Sequence, residues 1–292
     1  MLRRFPPFPI MSLLSYPAPA KLNLFLRVTG RRADGYHFLQ TVFRFIGFGD
    51  TLQFRVRQDR VIRRGNTVPG IPQEDDLALR AARLLQDEAG VRRGVEIRVR
   101  KRLPIGGGLG GGSSDAATVL LALNRLWDLH LRRRELAELA LRLGADVPVF
   151  VFGESAFAEG IGEKLKPIGL HPAWYLVLVP PVVVATRKVF EHPDLTRNSV
   201  PVKMSAFSAV RGQNDLESVV CSAYPDVARY LEWLRAQSDP STHAALTGSG
   251  ACVFAEFPTE EEVRQVARRL PASMRGFVAQ GLDRHPLRRF AD

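Results

Sequence analysis

Six of the seven residues from Gly106 to Gly112 are glycine, and the run Leu103-Pro-Ile-Gly-Gly-Gly-Leu-Gly-Gly-Gly-Ser-Ser-Asp115 leads directly into an apolar stretch, Ala116 to Leu126, that reads as a helix. Glycine loses more conformational freedom on ordering than any other residue, so such a run makes sense only where something approaches the backbone closely. Upstream, Val95, Ile97 and Val99 alternate with Glu96, Arg98 and Arg100, the pattern of a strand with one solvated face. A strand, a glycine-rich turn and a helix opened by Ser113 and Ser114 present free amide N–H groups and the positive end of a helix dipole at one point. That is a physical arrangement for holding phosphate oxygens. The two serine hydroxyls add hydrogen bonds to phosphate or a ligand for magnesium.

Two familiar phosphate loops do not fit. A P-loop needs a lysine and a hydroxyl residue directly after its last glycine, and no lysine follows these glycines. Gly106, Gly108 and Gly111 satisfy the dinucleotide spacing G-x-G-x-x-G. That fold, however, requires an apolar parallel strand before the loop and another strand after one helix. Here the preceding strand alternates with charges, and a second helical run, Arg134 to Leu143, follows the first. A dinucleotide-binding oxidoreductase is therefore the weaker alternative.

Composition narrows the class. The longest apolar run, Ala173 to Ala185, is broken by Pro180 and Pro181 and falls short of the roughly 20 residues a membrane helix needs. Two cysteines, Cys221 and Cys252, cannot make a disulfide framework or a zinc site, which fits a reducing cytoplasm. The net charge is +11, but only Lys21, Lys101, Lys164, Lys166, Lys188 and Lys203 are lysines, and the arginines are scattered in short clusters such as Arg132 to Arg134. With no nucleic-acid motif beside them, they read as solvated faces rather than a nucleic-acid surface. The residues from Met1 to Met11 carry prolines at 6, 7 and 9 that spoil a signal-peptide core. They read as a disordered extension, and Met11 is an alternative start.

Along the chain, residues 20 to 28 alternate so that Lys21, Asn23, Phe25 and Arg27 share one strand face and Leu22, Leu24, Leu26 and Val28 the other. Segments 41 to 48 and 51 to 57 read as further strands, separated by Gly49-Asp50. Leu77 to Ala89 has a helical apolar stripe with Asp75 or Asp76 placed to cap it. After Lys166 the expected order is a strand at 174 to 179, a short helix or turn around Lys188 to Phe190, and an irregular stretch from 193 to 213. Helices follow at 215 to 221 and 225 to 237, then strands at 244 to 247 and 251 to 257, a helix at 260 to 269 and a strand at 276 to 280. Strand, helix, strand, strand, helix, strand describes a split βαβ layer.

The glycine segment resembles the phosphate-binding motif of the GHMP kinases. Five blocks in order, Pro19-Ala-Lys-Leu-Asn-Leu-Phe-Leu26, Asp34-Gly-Tyr-His37, Leu103 to Ala117, Leu143-Gly-Ala-Asp-Val-Pro-Val-Phe150 and Thr247-Gly-Ser-Gly-Ala-Cys-Val-Phe254, narrow the resemblance. They are similar to the branch of that superfamily that phosphorylates 4-diphosphocytidyl-2-C-methyl-D-erythritol. The resemblance implies an α+β fold with an N-terminal ribosomal-protein-S5-like domain over residues 12–169 and a C-terminal split βαβ (ferredoxin-like) domain over 170–292. It implies a cytoplasmic enzyme of the non-mevalonate route to isoprenoid and terpenoid precursors, with ATP as co-substrate and Mg2+ expected. No covalent phosphoenzyme, nucleic acid or membrane is expected, and the chain would be a monomer or homodimer. Kinases of homoserine or mevalonate type are the alternatives within the superfamily.

Residue roles follow from the same match. Asp146 of Gly-Ala-Asp-Val-Pro corresponds to the catalytic base, although Asp two residues before Pro is also a helix-start signal. An ordinary carboxylate with pKa about 4 is a poor base for an alcohol, and Lys21 corresponds to the neighbouring cation. The nucleotide side comprises Pro104, Ile105, Gly106, Gly107, Gly108, Leu109, Gly110, Gly111, Gly112, Ser113, Ser114, Lys101 and Asp76. The family commonly has Asn before Leu77, so Asp76 changes a donor-and-acceptor into an acceptor only. On the substrate side Asn23 would orient the methylerythritol hydroxyls, Tyr36 and Phe190 would sandwich the cytosine, His37 would read its edge, and Thr186 would lie near the diphosphate. The Gly248-Ser249-Gly250 turn would offer backbone amides.

Overall fold

The computed structural model describes residues 13–237 and 242–291; the N-terminal stretch read as an extension lies outside them. β1 (Leu14–Arg31) and β2 (His37–Arg57) form a long antiparallel pair, followed by β3 (Ile62–Arg64), α1 (Leu77–Glu88) and β4 (Gly94–Arg100). The glycine loop opens α2 (Gly111–Leu126), then come α3 (Arg133–Leu143), the short α4 (Val147–Phe152) and a hairpin of β5 (Ala156–Glu159) and β6 (Lys164–Pro167). The second half comprises β7 (Trp174–Leu178), α5 (Thr186–Glu191), α6 (Glu217–Ala223), α7 (Pro225–Ala236), β8 (Ala244–Leu246), β9 (Val253–Phe257), α8 (Glu260–Ala267) and β10 (Gly276–Leu282). No helix among the described residues is long and apolar enough to cross a membrane.

The main sheet path runs β3-β4-β2-β10-β7-β9-β8, with β1 and β5 also paired to β2. Its last four strands have the order of a split βαβ layer, with the helices on one face. β10 joins the halves: Gly276 to Gln280 pair with β7, and Gly281 and Leu282 then pair with Ile46 and Phe45 of β2. α2 is buried continuously from Ser114 to Asn124, as expected of a helix apolar on all sides. It packs between α1, α4 and β1. A third apolar cluster, including Leu22, Leu109, Val177, Cys252 and Phe254, fills the space between the halves beneath the glycine loop.

One sequence expectation changes, one element is new, and one open choice is resolved. β2 runs unbroken through Gly49 and Asp50, where a turn was expected. A Cβ on Gly49 would fall 2.1 Å from the Ala18 carbonyl oxygen, so glycine allows β1 to press against β2 at the register shift between Pro19 and Ala20. Asp50 is buried, and its Oδ1 accepts the amides of Arg102 (2.6 Å) and Leu103 (2.9 Å), lashing the approach to the glycine loop. The β5–β6 hairpin was not anticipated, because its four-residue strands carry too short a pattern. Of the two cap candidates for α1 it is Asp76 that accepts the Ala78 amide, at 2.9 Å.

Candidate active site

The loop from Gly106 to Gly110 is sorted by polarity. Most of its carbonyls are taken by protein: Gly106 O accepts from Ala251 N, Gly107 O from Cys252 N and Leu109 O from Lys21 N, at 3.2, 3.1 and 3.0 Å. The amides of Gly107 through Ser113 donate to no acceptor among the described residues. This inversion needs left-handed backbone at alternate positions, and Gly106, Gly108 and Gly110 have φ of 68°, 75° and 72°. Gly108 is pressed hardest, for a Cβ there would lie 2.2 Å from the Thr247 carbonyl oxygen. The loop, the first turn of α2, β1, the Gly248 turn and α5 enclose a cavity of about 880 Å³.

Two charged side chains meet on its wall. Lys21 Nζ lies 3.3 Å from Asp146 Oδ2; the lysine side chain is 3% exposed and the aspartate 40%. Strand periodicity puts Lys21 and Asn23 on one face, and Lys21 Nζ donates to Asn23 Oδ1 at 2.5 Å. Asn23 is held in turn: its Nδ2 donates to Thr41 Oγ1 (2.9 Å), whose hydroxyl donates to Phe25 O, and its amide donates to Thr247 Oγ1 (3.0 Å). Asp146 occupies the residue before α4 but makes no side-chain cap. Its carboxylate is therefore not consumed by the helix and remains directed to Lys21.

The far end of the cavity is aromatic. His37 and Phe190 stack on each other with centroids 5.1 Å apart, while Tyr36 is 59% exposed on the cavity lining. One face of Phe190 is thus taken by His37, so a base entering here meets a wall of two stacked rings rather than a lone phenyl. Burial, with Arg197 and Arg31 nearby, lowers the His37 pKa and favours the neutral ring. Thr186 Oγ1 lies 2.7 Å from Ser249 Oγ, closing α5 against the glycine turn.

The cavity lining contains Lys21, Asn23, Tyr36, His37, Gly106, Gly108, Gly110, Ser113, Asp146, Thr186 and Phe190. Other expected nucleotide residues have different duties. Ser114 is fully buried and its Oγ donates to Pro19 O at 2.7 Å, so of the two serines only Ser113 faces the cavity. Asp76 caps α1 and pairs with Arg64 at 3.1 Å, which explains an acceptor-only residue there without any ligand. Lys101 stands behind the loop between Asp50 and Asp115; burial opposes its charge, but the two carboxylates outweigh it and hold its pKa above the usual value. The Leu109 side chain is an apolar anchor, buried in the cluster under the loop. Pro104, Ile105, Gly107, Gly111 and Gly112 frame the loop without lining the cavity.

Residues that the sequence reading did not single out complete the frame. Asn214, just after the stretch read as irregular, donates from Nδ2 to Leu246 O (2.9 Å) and Gly248 O (2.8 Å) and fixes the glycine turn. Thr41 and Thr247 hold Asn23 as described, and Arg31 and Arg187 line the open end of the cavity. A polar residue following a strand or lying in a loop carries no sequence signal for such long-range partners.

Comparison with known proteins agrees with this geometry. Residues 76–154 match the family described as GHMP kinases N terminal domain and residues 201–276 the GHMP kinases C terminal. The 4-diphosphocytidyl-2-C-methyl-D-erythritol kinase of Nitrosospira multiformis is 63% identical over 279 residues, covering 96% of this chain and 95% of the relative. That of Thiobacillus denitrificans is 60% identical, covering 94% and 97%. A crystal structure of 4-(cytidine 5'-diphospho)-2C-methyl-D-erythritol kinase superposes with a TM-score of 0.78 at 35% identity, over 92% of this chain and 99% of that one. A mevalonate kinase and the homoserine kinase of Cytophaga hutchinsonii share the fold, with TM-scores of 0.69 and 0.66, but at 15% and 14% identity. By sequence along nearly its whole length, and by fold, the chain belongs to the 4-diphosphocytidyl-2-C-methyl-D-erythritol kinase family of the GHMP kinases.

Proposed function

We propose that this cavity is where the chain performs its family's reaction, with residues 12–169 supplying the nucleotide side and most of the remaining wall, and 170–292 adding Thr186, Phe190 and the Gly248 turn. The chain is an ATP-dependent kinase of the isoprenoid-precursor pathway that transfers the ATP γ-phosphoryl group to the 2-hydroxyl of 4-diphosphocytidyl-2-C-methyl-D-erythritol. The new P–O bond forms to that hydroxyl oxygen, the bond from the γ-phosphorus to the bridging β–γ oxygen breaks, and ADP leaves. Phosphoryl transfer of this kind is mostly positioning and charge stabilisation. The unspent amides of Gly108, Gly110 and Ser113, on the cavity lining, hold the phosphates. Asp146 accepts the hydroxyl proton. Lys21, fixed by Asn23, offsets charge on the carboxylate and on the phosphoryl group in flight.

The observation that carries this reading is the 3.3 Å approach of Lys21 Nζ to Asp146 Oδ2 on the wall of the cavity that the glycine loop also lines. Magnesium suits the oxygen donors present. Among the described residues no group of three or more His, Cys, Asp and Glu can hold a metal, so Ser113 Oγ would add to ligands that come chiefly from ATP itself. When bound there, Mg2+ neutralises phosphate charge. Tyr36, His37 and Phe190 receive the cytosine, Thr186 lies toward the diphosphate, and a requirement for ATP supports a cytoplasmic enzyme.

A coupled ADP-release assay compares the CDP-linked alcohol with mevalonate and homoserine. Turnover confined to the CDP-linked alcohol is expected. Lys21→Met and Asp146→Asn should each lower kcat by about 10²–10⁴ without lowering the melting temperature. Near-normal turnover in both folded variants sinks the assignment of roles.

A further inference from the structure

We infer that Arg197 is the positioning residue of the base pocket: it sets which nitrogen of His37 carries the proton and ties that ring to Phe190. This rests on the reading of the cavity's aromatic end as the cytosine site. Arg197 comes from the stretch between α5 and the 3-10 turn at Met204–Val210 and is half-buried. Its Nε donates to His37 Nε2 at 3.3 Å. Its Nη2 donates to the carbonyls of Phe190 (3.0 Å) and His192 (2.6 Å), and its Nη1 to that of Leu195 (3.1 Å). One planar guanidinium therefore spans the C-terminal end of α5 and the first residue of β2. The His37–Phe190 stack, 5.1 Å between centroids, is clamped across the join.

The chemistry follows from the donor inventory. Guanidinium has five N–H donors and no acceptor, so the nitrogen facing it must be the bare one. With Nε2 accepting and the ring neutral, the proton sits on Nδ1. Burial and the cations Arg197 and Arg31 keep the imidazolium form away. Among the described residues Nδ1 has no hydrogen-bond partner, so it is the polar atom of this cavity-lining ring left for a ligand. A fixed donor suits a pyrimidine whose ring N3 is an acceptor, as in cytosine. It opposes one whose N3 bears hydrogen, as in uracil. Selectivity for the base then comes from His37, and its reliability from Arg197.

The test uses the full-length enzyme. Imidazole 15N shifts of the free wild type should report Nδ1-protonated His37, and Arg197→Met should give a mixture. Arg197→Met should raise KM for the CDP-linked alcohol about tenfold with kcat nearly kept, and erode discrimination against the UDP-linked analogue by a similar factor. The loss of discrimination should vanish in a His37→Ala background, since Arg197 acts through that ring. Arg197→Lys, which retains one donor for Nε2 but cannot bridge to α5, should keep the tautomer while raising KM. It also serves if the methionine variant does not fold. An unchanged tautomer with unchanged discrimination in Arg197→Met overturns the proposal, as does an effect that persists without His37. Failure of wild type to bind CDP overturns the cytosine reading instead, because the tautomer is measured without ligand.

Discussion

Replacing Gly108 by alanine separates two reasons for a glycine in this loop. The first is conformational: φ is 75°, a region that costs an L-residue roughly 1–2 kcal/mol. The second is steric: the added methyl would sit 2.2 Å from Thr247 O, with Gly250 O at 3.1 Å, where ordinary contact begins at 3.4 Å. Both neighbours are backbone and cannot swing aside, so the loop must lift away from the β8–β9 turn, an overpacking penalty of roughly 1–3 kcal/mol. The sum is about 3 kcal/mol. Gly90 is the control, since its φ is 62° but nothing lies within 4 Å of its Cβ position. Gly90→Ala should pay only the first penalty.

Urea unfolding of both variants, with m unchanged so that midpoints report stability, should place Gly108→Ala about 2 kcal/mol below Gly90→Ala. Lifting the loop also stretches Ala251 N to Gly106 O and Cys252 N to Gly107 O, so KM for ATP should rise in Gly108→Ala and stay put in Gly90→Ala. Equal stabilities within about 0.5 kcal/mol would refute the claim that the loop is wedged against the second half.

The remaining expectations concern buried polar groups. Thr41→Val removes the acceptor for Asn23 Nδ2 and should cost about 1–3 kcal/mol; because Asn23 steadies Lys21, kcat should fall while ATP binding is unchanged, as steady-state assays and nucleotide titration will show. Burial, with Arg133 adding to it, pushes His285 down to about 3, whereas burial pushes Asp115 up to about 7 against the pull of Lys101. Between about pH 6.5 and 3 the unfolded chain binds a proton that folded His285 refuses, so stability falls on acidification; His285→Asn, which can still accept the Leu287 amide, should flatten that decline. Folded Asp115 takes its proton before the unfolded chain does, so its contribution grows as pH drops from about 7 toward 4, and Asp115→Asn should abolish that gain. Denaturation curves at about pH 5, 6.5 and 8 check both; slopes of the same sign in the two variants would refute the assignment.

Local rules carried the sequence reading far where they were sufficient. A period of two placed Lys21 beside Asn23, and glycines before a serine-headed helix marked the cavity-lining loop proposed to hold phosphate, because both are properties of contiguous chain. The same rules misjudged Gly49-Asp50 as a turn. The dipeptide has turn chemistry, but here the glycine admits Ala18 O and the aspartate reaches across to Arg102 and Leu103. They could not separate Ser113 from Ser114 either: adjacent helical residues point about 100° apart, and which one sees the cavity depends on where Pro19 lies. Arg197 and Asn214 were invisible for a related reason. Each works through carbonyls of residues placed only by the tertiary fold, and a carbonyl leaves no trace in the sequence.

Why the loop needs so many glycines follows from its two customers. The carbonyl side serves the protein: Leu109 O binds β1, and Gly106 O and Gly107 O bind the residues just before β9. Satisfying those partners turns the peptide planes so that the N–H side faces the cavity, and that rotation is what the left-handed values at Gly106, Gly108 and Gly110 record. The proposed phosphate site is thus not a property of the first half alone. It exists in this form when the second half is docked and pulling on the carbonyls. A nucleotide that binds only the docked state adds its binding free energy to the docking, about 2.7 kcal/mol at a hundredfold excess over Kd. Gly108→Ala and ATP then move one equilibrium in opposite directions. The variant should regain stability as nucleotide is added, and the deficit against Gly90→Ala should persist at saturation only if the loop's wedge and its phosphate grip are independent.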